Sequence, residues 1–445
     1  MRWCIALFLA AAAAFPAAAA PVKAGAARKA ITPAEPMWMA GYASRKEPAR
    51  EKVHDLWVKA LAVEDESGRR FVLLTSDLCG LPRSLTEAVA AEVHQRTGLP
   101  RARLMLTCSH THCGPVISGN LSDMYDMPAE HQKKIGPYTD RLRGWMVETI
   151  VAALDDLKPA RLSAATGKAA FAVNRRQPTE KGVINGYNPN GPVDHDVPVL
   201  KVESADGKLR AVVFGYACHN TTMQFYKWCG DYAGYAQADL EEKHPGAVAL
   251  FWIGCGADAN PLPRSKLELC QKYGRQLADA VEEVLKGRLT PVKGEWSGRY
   301  AEVAIPFDTL PGKEKLAADL LSKQHAVRKR AERLMKTLES GGKLDDHYRH
   351  YPVQVWRLGD EVLWIALGGE VVVDYAHRLK KELKGKRAVW VTGYANDVMA
   401  YIPSARVLKE GGYEADSSQI YYGMPAKWAP AIEEKIIGKA RELAK

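Results

Sequence analysis

Cysteine is scarce in this chain, with eight in 445 residues, too few for a fold built on disulfides. Beyond the first twenty residues there is no apolar run of the roughly 20 residues that a membrane-spanning helix needs. AVALFWIGC (247–255) has the length of a buried strand, and VLWIALGGEVVV (362–373) is broken by a glutamate. Also missing are a repeat of fixed period and a Pro/Gly/Ser-rich linker that would split the chain. What remains is 47% hydrophobic and 26% charged. That mix excludes a disordered, collagen-like or coiled-coil protein.

The first twenty residues, MRWCIALFLAAAAAFPAAAA, read as an export signal: a basic Arg2, an apolar core, then small residues. Cleavage is expected after Ala20 or Ala24, giving a soluble protein in the periplasm or outside the cell. Cys4 precedes the apolar core, which argues against a lipid anchor. Seven cysteines are left, an odd number; Cys218–Cys229 and Cys255–Cys270 are the pairs that could close in an oxidising compartment. The 62 Lys and Arg against 52 Asp and Glu give +10, and the charge is spread. KQHAVRKRAERLMK (323–336) and KKELKGKR (380–387) read as solvated helix faces. Without interleaved aromatics they do not fit nucleic acid. A weak attraction to an anionic membrane surface is compatible with them and would suit a lipid substrate.

Strand-like and helix-like segments alternate from about residue 25, which predicts one large α/β domain (25–445) with mixed sheets inside and helices outside. Strands are expected at 58–65, 69–77, 103–110, 211–219 and 387–397, with a hairpin over 353–370 about Leu358–Gly359–Asp360. Helices are expected at 84–98, with Ser84 and Glu87 as a capping box, and at 138–157, 274–287 and 314–340, with another closing the chain. The Gly/Asn/Pro-rich stretch 183–197 reads as a surface loop.

Chemistry concentrates where polar ligand types end or interrupt apolar runs. In LTCSHTHCGP (106–115), His110 and His112 are two apart and would face one side of a strand; they suit a metal, or a hydrogen-bonded pair in a loop. A metallo-β-lactamase-type site would want Asp where Gly114 stands. His219 ends the run VVFGYACH and reads equally as a ligand or a core histidine. Glu370 sits among Leu, Ile, Ala and Val in ALGGEVVV. A buried carboxylate must be neutral, paired or on a cation, so a metal or an ion pair is implied. Tyr401, Tyr413 and Tyr422 recur in the loop-rich 393–423, as site or packing residues. Two histidines, a carboxylate and a further oxygen can hold zinc with room for water. Zn2+ lowers the pKa of bound water to about 7, which suits amide hydrolysis. Arg175 in AVNRRQP could hold an oxyanion. Cys108 and Cys113 flank the histidines, but beside two imidazoles a cysteine is better read as a ligand than as a nucleophile.

Taken in order, the blocks MAGYASR (39–45), RRFVLLTSDLC (69–79), LTCSHTHCGP, AVNRR, the strand ending at His219, GYAQADLE (234–241), GCGADANP (254–261), ALGGE and AYIPS…GGYEAD…YYG resemble the N-terminal catalytic domain of neutral/alkaline non-lysosomal ceramidases. The resemblance implies a zinc hydrolase of an N-acyl, ceramide-type amide. It implies His110, His219, Glu370 and Tyr401 as the metal ligands, and His112, Arg175 and Tyr413 near the substrate carbonyl. His112 would then touch substrate instead of metal. There are two departures. Asn260 stands where the family carries a serine once proposed as nucleophile, so a serine mechanism is excluded and Asn260 is left to hydrogen-bond substrate. The resemblance also stops short of the immunoglobulin-like C-terminal domain, which makes another N-acyl or ester substrate, or a lipid- or glycan-binding role without catalysis, the alternatives to ceramide hydrolysis.

Overall fold

The computed structural model describes residues 22–121 and 124–445; the apolar core of the expected export signal lies outside them. Strands β1 (Lys23–Ala30), β2 (Glu51–Lys52), β3 (Trp57–Glu64) and β4 (Arg70–Ser76) lead to helix α1 (Arg83–Thr97), strand β5 (Leu104–Leu106) and helix α2 (Ala129–Asp155). Then come β6 (Lys158–Lys168), β7 (Ala172–Thr179), β8 (Gly182–Asn188), β9 (Asp196–Ser204), β10 (Leu209–Tyr216), β11 (Lys227–Trp228), α3 (Asp231–Lys243), β12 (Val248–Ile253), β13 (Ala259–Pro261) and α4 (Leu267–Lys286). The chain continues through β14 (Thr290–Pro291), β15 (Trp296–Pro306), α5 (Lys313–Leu320), α6 (His325–Glu339), β16 (His347–Leu358), β17 (Val362–Leu367) and β18 (Glu370–Val371). It closes with α7 (Val373–Glu382), β19 (Ala388–Thr392), β20 (Tyr401–Ile402), α8 (Ala405–Glu410) and α9 (Ile432–Leu443).

Two mixed sheets carry the fold. The larger runs β12-β10-β9-β6-β1-β3-β4-β5 with β14 on β6, and the smaller runs β15-β16-β17-β19. Strand alternation sets what lies on each face. Val58, Ala60 and Ala62 of β3 join the core shared with α1 to α4, whereas Leu61 and Val63 point the other way. In β17, Leu363, Ile365 and Leu367 meet α7 and α9, and Val362, Trp364 and Ala366 join Leu61 and Val63. The layers are therefore helix, sheet, sheet, helix, an α/β architecture with mixed sheets inside as expected. The seam between the sheets is rich in tryptophan: the Trp364 ring lies 5.3 Å from Trp252 and 5.4 Å from Trp390.

Several local expectations are corrected. Helix α1 starts at Arg83 after Pro82, and no side chain caps it. The Asp397 carboxylate takes the Arg83 N–H at 3.0 Å, so a tertiary partner does what the Ser84/Glu87 box would have done. The expected single helix 314–340 is two, broken at Leu321, because folding back lets Leu316 bury against Ala331 and Leu334. Within the expected loop 183–197, residues up to Asn188 form strand β8 on β7; its Gly and Asn are tolerated because β8 is an edge. The strand expected at 103–110 stops at Leu106, and that at 211–219 stops at Tyr216, so His110, His112 and His219 lie on loops. All seven cysteines among the described residues are buried thiols, and neither suggested disulfide is formed.

Candidate metal centre

Loops leaving β5, β10, β17 and β19 meet at one end of the two sheets. Isolated bridges tie them together: Thr107 to Ala395, Thr111 to Asn220 and Gly254 to Thr392. The short parallel pair β18–β20 sets Glu370 directly beside Tyr401. That register depends on Gly369, whose φ is +74°. A Cβ there would fall 2.7 Å from the Ala400 carbonyl oxygen, so no other residue fits.

The His-Thr-His segment does not present its rings as a strand would. His110 has a φ of +58°, a strained conformation for a ring-bearing residue. Its Nδ1 bonds the Cys79 carbonyl oxygen, and Nε2 lies 3.2 Å from Glu370 Oε2. The His219 ring is held the same way. Nδ1 is 2.8 Å from the Gly256 carbonyl oxygen, and Nε2 is 3.2 Å from the same Glu370 oxygen. A carbonyl only accepts, so both Nδ1 atoms carry the proton and both Nε2 atoms turn a lone pair inward. Two nitrogen lone pairs then face one carboxylate oxygen with no hydrogen between them. This arrangement repels itself unless a cation sits among the three. It is also the outer-shell pattern, ring N–H to carbonyl, that fixes metal-binding histidines. His110, His219 and Glu370 could thus hold a metal ion. The Tyr401 hydroxyl lies 3.2 Å from His219 Nε2, on the same small volume.

The electrostatics follow from burial and this crowding. Burial first, then the Arg175 cation, pull His219 down to about 3, so its ring is neutral at any ordinary pH, as a ligand must be. Burial and the other two rings likewise keep His112 neutral.

The remaining expected residues surround this core. His112 Nε2 is 3.0 Å from His110 Nε2, while its buried Nδ1 has no partner. At 7% it is the most exposed of the three rings. Its ring lies against Gly41, where an added Cβ would come within 2.3 Å; Arg45 grips its carbonyl at 2.7 Å. The MAGYASR block thus packs and anchors this histidine. Arg175 enters from β7. Its Nη2 donates to Tyr401 Oη at 3.0 Å, Nη1 lies 3.2 Å from His219 Nε2, and Nη1 also donates to Asn260 Oδ1 at 3.3 Å. The Tyr413 ring stands 5.3 Å from Tyr401 and 5.7 Å from the Arg175 guanidinium. All eight residues singled out in the sequence therefore fall in one cluster.

Tyr422, left open in the sequence as a site or packing residue, also takes part, with two residues the sequence did not single out. Tyr422 donates to Glu370 Oε1, and Tyr394 donates to Oε2 at 3.4 Å. Buried Glu414 accepts from Arg175 Nε at 2.7 Å and from Arg176 Nη1 at 2.6 Å. Glu414 adjoins Tyr413 in the sequence, and Tyr422 stood among the recurring tyrosines; nothing in the sequence pairs Tyr394 with the glutamate.

A family model described as neutral/alkaline non-lysosomal ceramidase, N-terminal, matches residues 23–254. No curated protein sequence matches the chain. Two solved structures share its fold. A ceramidase complexed with C2 is 19% identical, with a TM-score of 0.72 over 95% of this chain and 75% of that one. The neutral ceramidase from Pseudomonas aeruginosa is 22% identical, with a TM-score of 0.72 over 95% and 74% of the two chains. The family match spans more than half of the chain, which therefore belongs to the neutral/alkaline ceramidase family.

Proposed function

We propose that this chain is a zinc-dependent amidohydrolase that cleaves an N-acyl amide of the ceramide type. The observation that carries the reading is the lone-pair geometry: Nε2 of His110 and of His219, each 3.2 Å from one Glu370 oxygen, with both Nδ1 protons committed to backbone carbonyls. Zinc held by His110, His219, Glu370 and Tyr401 would supply Lewis acidity and an acidified water at neutral pH. The protein's own groups do the rest. Arg175, kept charged and rigid by Glu414, would supply the cation that stabilises negative charge developing on a carbonyl oxygen. Neutral His112, whose Nε2 faces the centre 3.0 Å from His110 Nε2, can take a proton and return it to the leaving nitrogen. Tyr413 and Asn260 flank Arg175 and orient the amide.

A lipid substrate is supported by family membership and by the C2 complex of a structural neighbour. A cleft of about 400 Å³ lies beside Tyr421 and Tyr422, lined by Leu334 and Met424 but also by Lys343 and Tyr348. Its mixed lining favours an N-acyl compound with a polar headgroup over a purely apolar one. We also propose export, with cleavage after Ala20, because Lys23 and Ala24 already pair with β3 and β6; N-terminal sequencing of the secreted protein checks it. The central test is metal analysis of the purified protein together with hydrolysis of a panel of N-acyl lipids, sugars and amino acids. About one zinc per chain and release of fatty acid from an N-acyl lipid are expected. Iron in place of zinc, or no metal at all with His110→Ala unaltered in activity, would reject the proposal.

A further inference from the structure

Helices α5 and α6 form a hairpin with a small core of its own, made by Leu316, Ala331 and Leu334. It sits over the turn Ser417–Tyr422 that carries Tyr421 and Tyr422: Arg333 donates to the Gly423 carbonyl at 2.6 Å. Helix α6 lines two clefts, one along its middle and one at its start. One, of about 400 Å³, is lined by Leu334, Tyr421 and Tyr422. The other, of about 370 Å³, is lined by Arg45, Gln324, His325 and Tyr421. Arg45 also holds the carbonyl of His112, so the tip end of the hairpin lies beside the loop that fixes this ring.

Two features of the hairpin stand out. From Lys313 to Glu339 it has eight Lys and Arg against four Asp and Glu, a net +4 out of the chain's +10 in 27 residues. At its tip Leu321 is 86% exposed. The other large hydrophobics exposed among the described residues are Ile184 and Tyr187, both on β8. A basic helix face alone is ordinary; a basic face with a bare leucine at the turn, on the hairpin that lines the cleft beside Tyr421 and Tyr422, is not. Lys323, two residues beyond Leu321, and Lys329, in the first turns of α6, are exposed near that turn. Cationic side chains around an apolar tip match a surface that is anionic outside and apolar a few ångströms below, which is a bilayer carrying acidic lipids.

We infer that the α5–α6 hairpin docks the protein on an anionic lipid bilayer, Leu321 entering the headgroup layer and the lysines meeting lipid phosphates. This extends the lipid-substrate reading and gives the substrate a short path from membrane to cleft. The test is flotation of the full chain with vesicles of phosphatidylcholine, with and without phosphatidylglycerol, which needs no turnover. The protein is expected to bind the acidic vesicles, and high salt to release it. Leu321→Glu should weaken binding about tenfold. Lys323→Glu with Lys329→Glu should weaken it about thirtyfold, given roughly fivefold per basic residue at such a surface. These variants should hydrolyse a soluble short-chain N-acyl substrate at the parent rate. Equal binding to neutral vesicles, no binding at all, or variants that bind like the parent would overturn the inference; so would loss of activity on the soluble substrate. A protein that binds acidic vesicles yet cleaves no amide leaves the docking element standing and removes the amidohydrolase reading alone.

Discussion

The floor and the rim of the candidate site are built on opposite plans. At the floor, His110, His219 and Glu370 are almost fully buried, and backbone carbonyls or strand pairing fix each of them. At the rim, Tyr413, Tyr421 and Tyr422 are half-buried; the last two sit on a turn held by α6, a helix from a separate hairpin. Floor residues answer to coordination geometry, in which a displacement of a few tenths of an ångström matters. Rim residues answer to the shape of what enters. The floor should therefore tolerate no change, and the rim should lose rate far less when it is altered.

The largest effect is expected at the floor. Glu370→Gln removes the charge on which both imidazoles converge, and activity should fall by about a thousandfold or more with loss of bound metal; kcat/KM and metal content check it. Between floor and rim, Arg175→Ala should lower kcat by roughly a hundredfold to a thousandfold. It should also destabilise the fold by about 3 kcal/mol, because Glu414 then keeps only Arg176 as a buried cation; denaturant unfolding reads this part. At the rim, Tyr422→Phe deletes one hydrogen bond to Glu370 and should cost about tenfold in kcat with metal retained. A loss as large as that of Glu370→Gln would erase the distinction.

The effect with least bearing on rate concerns pH. Burial, chiefly, raises the Asp258 carboxyl to about 7, against the Val373 N–H that favours its anion and with Asp374 and Glu414 adding repulsion. Its folded pKa lies above the unfolded value, so the folded state holds a proton that the unfolded chain has released between about pH 4 and 7. The contribution is complete below the unfolded pKa and is lost as pH rises through 7. Stability should thus decline toward neutral pH by at most about 1.4 kcal/mol per pH unit, and Asp258→Asn should flatten the decline in thermal melts from pH 5 to 8.

The sequence made the layers and the cluster legible to different depths. Alternation in WVKALAVE and VLWIAL is written in the residues, and so is the sidedness of β3 and β17. The ligand types were visible as polar interruptions of apolar runs. Their mutual geometry was not, because it depends on contacts between segments far apart in the chain. His110 and His112 suggested a strand face, yet His110 reaches its place through a left-handed backbone that only the Cys79 carbonyl explains. Tyr394 and Glu414 were silent for the same reason: each matters through a partner more than twenty residues away. The break at Leu321 escaped notice because 314–340 has helical spacing throughout, and only the packing of α5 on α6 reveals the turn.

The tryptophans between the two sheets give the molecule a built-in optical gauge. Trp252, Trp364 and Trp390 are buried, with indole N–H groups that find no acceptor, and they lie in a seam whose core is distinct from those shared with the helices. Their emission should be blue-shifted and indifferent to what binds at the loops. It should move to longer wavelength only when the sheets part and water enters. The seam's share of the fluorescence then reports the integrity of the sandwich, whereas Trp428, whose indole donates to the Tyr401 carbonyl at 2.7 Å, lies near enough to the site to sense what binds there.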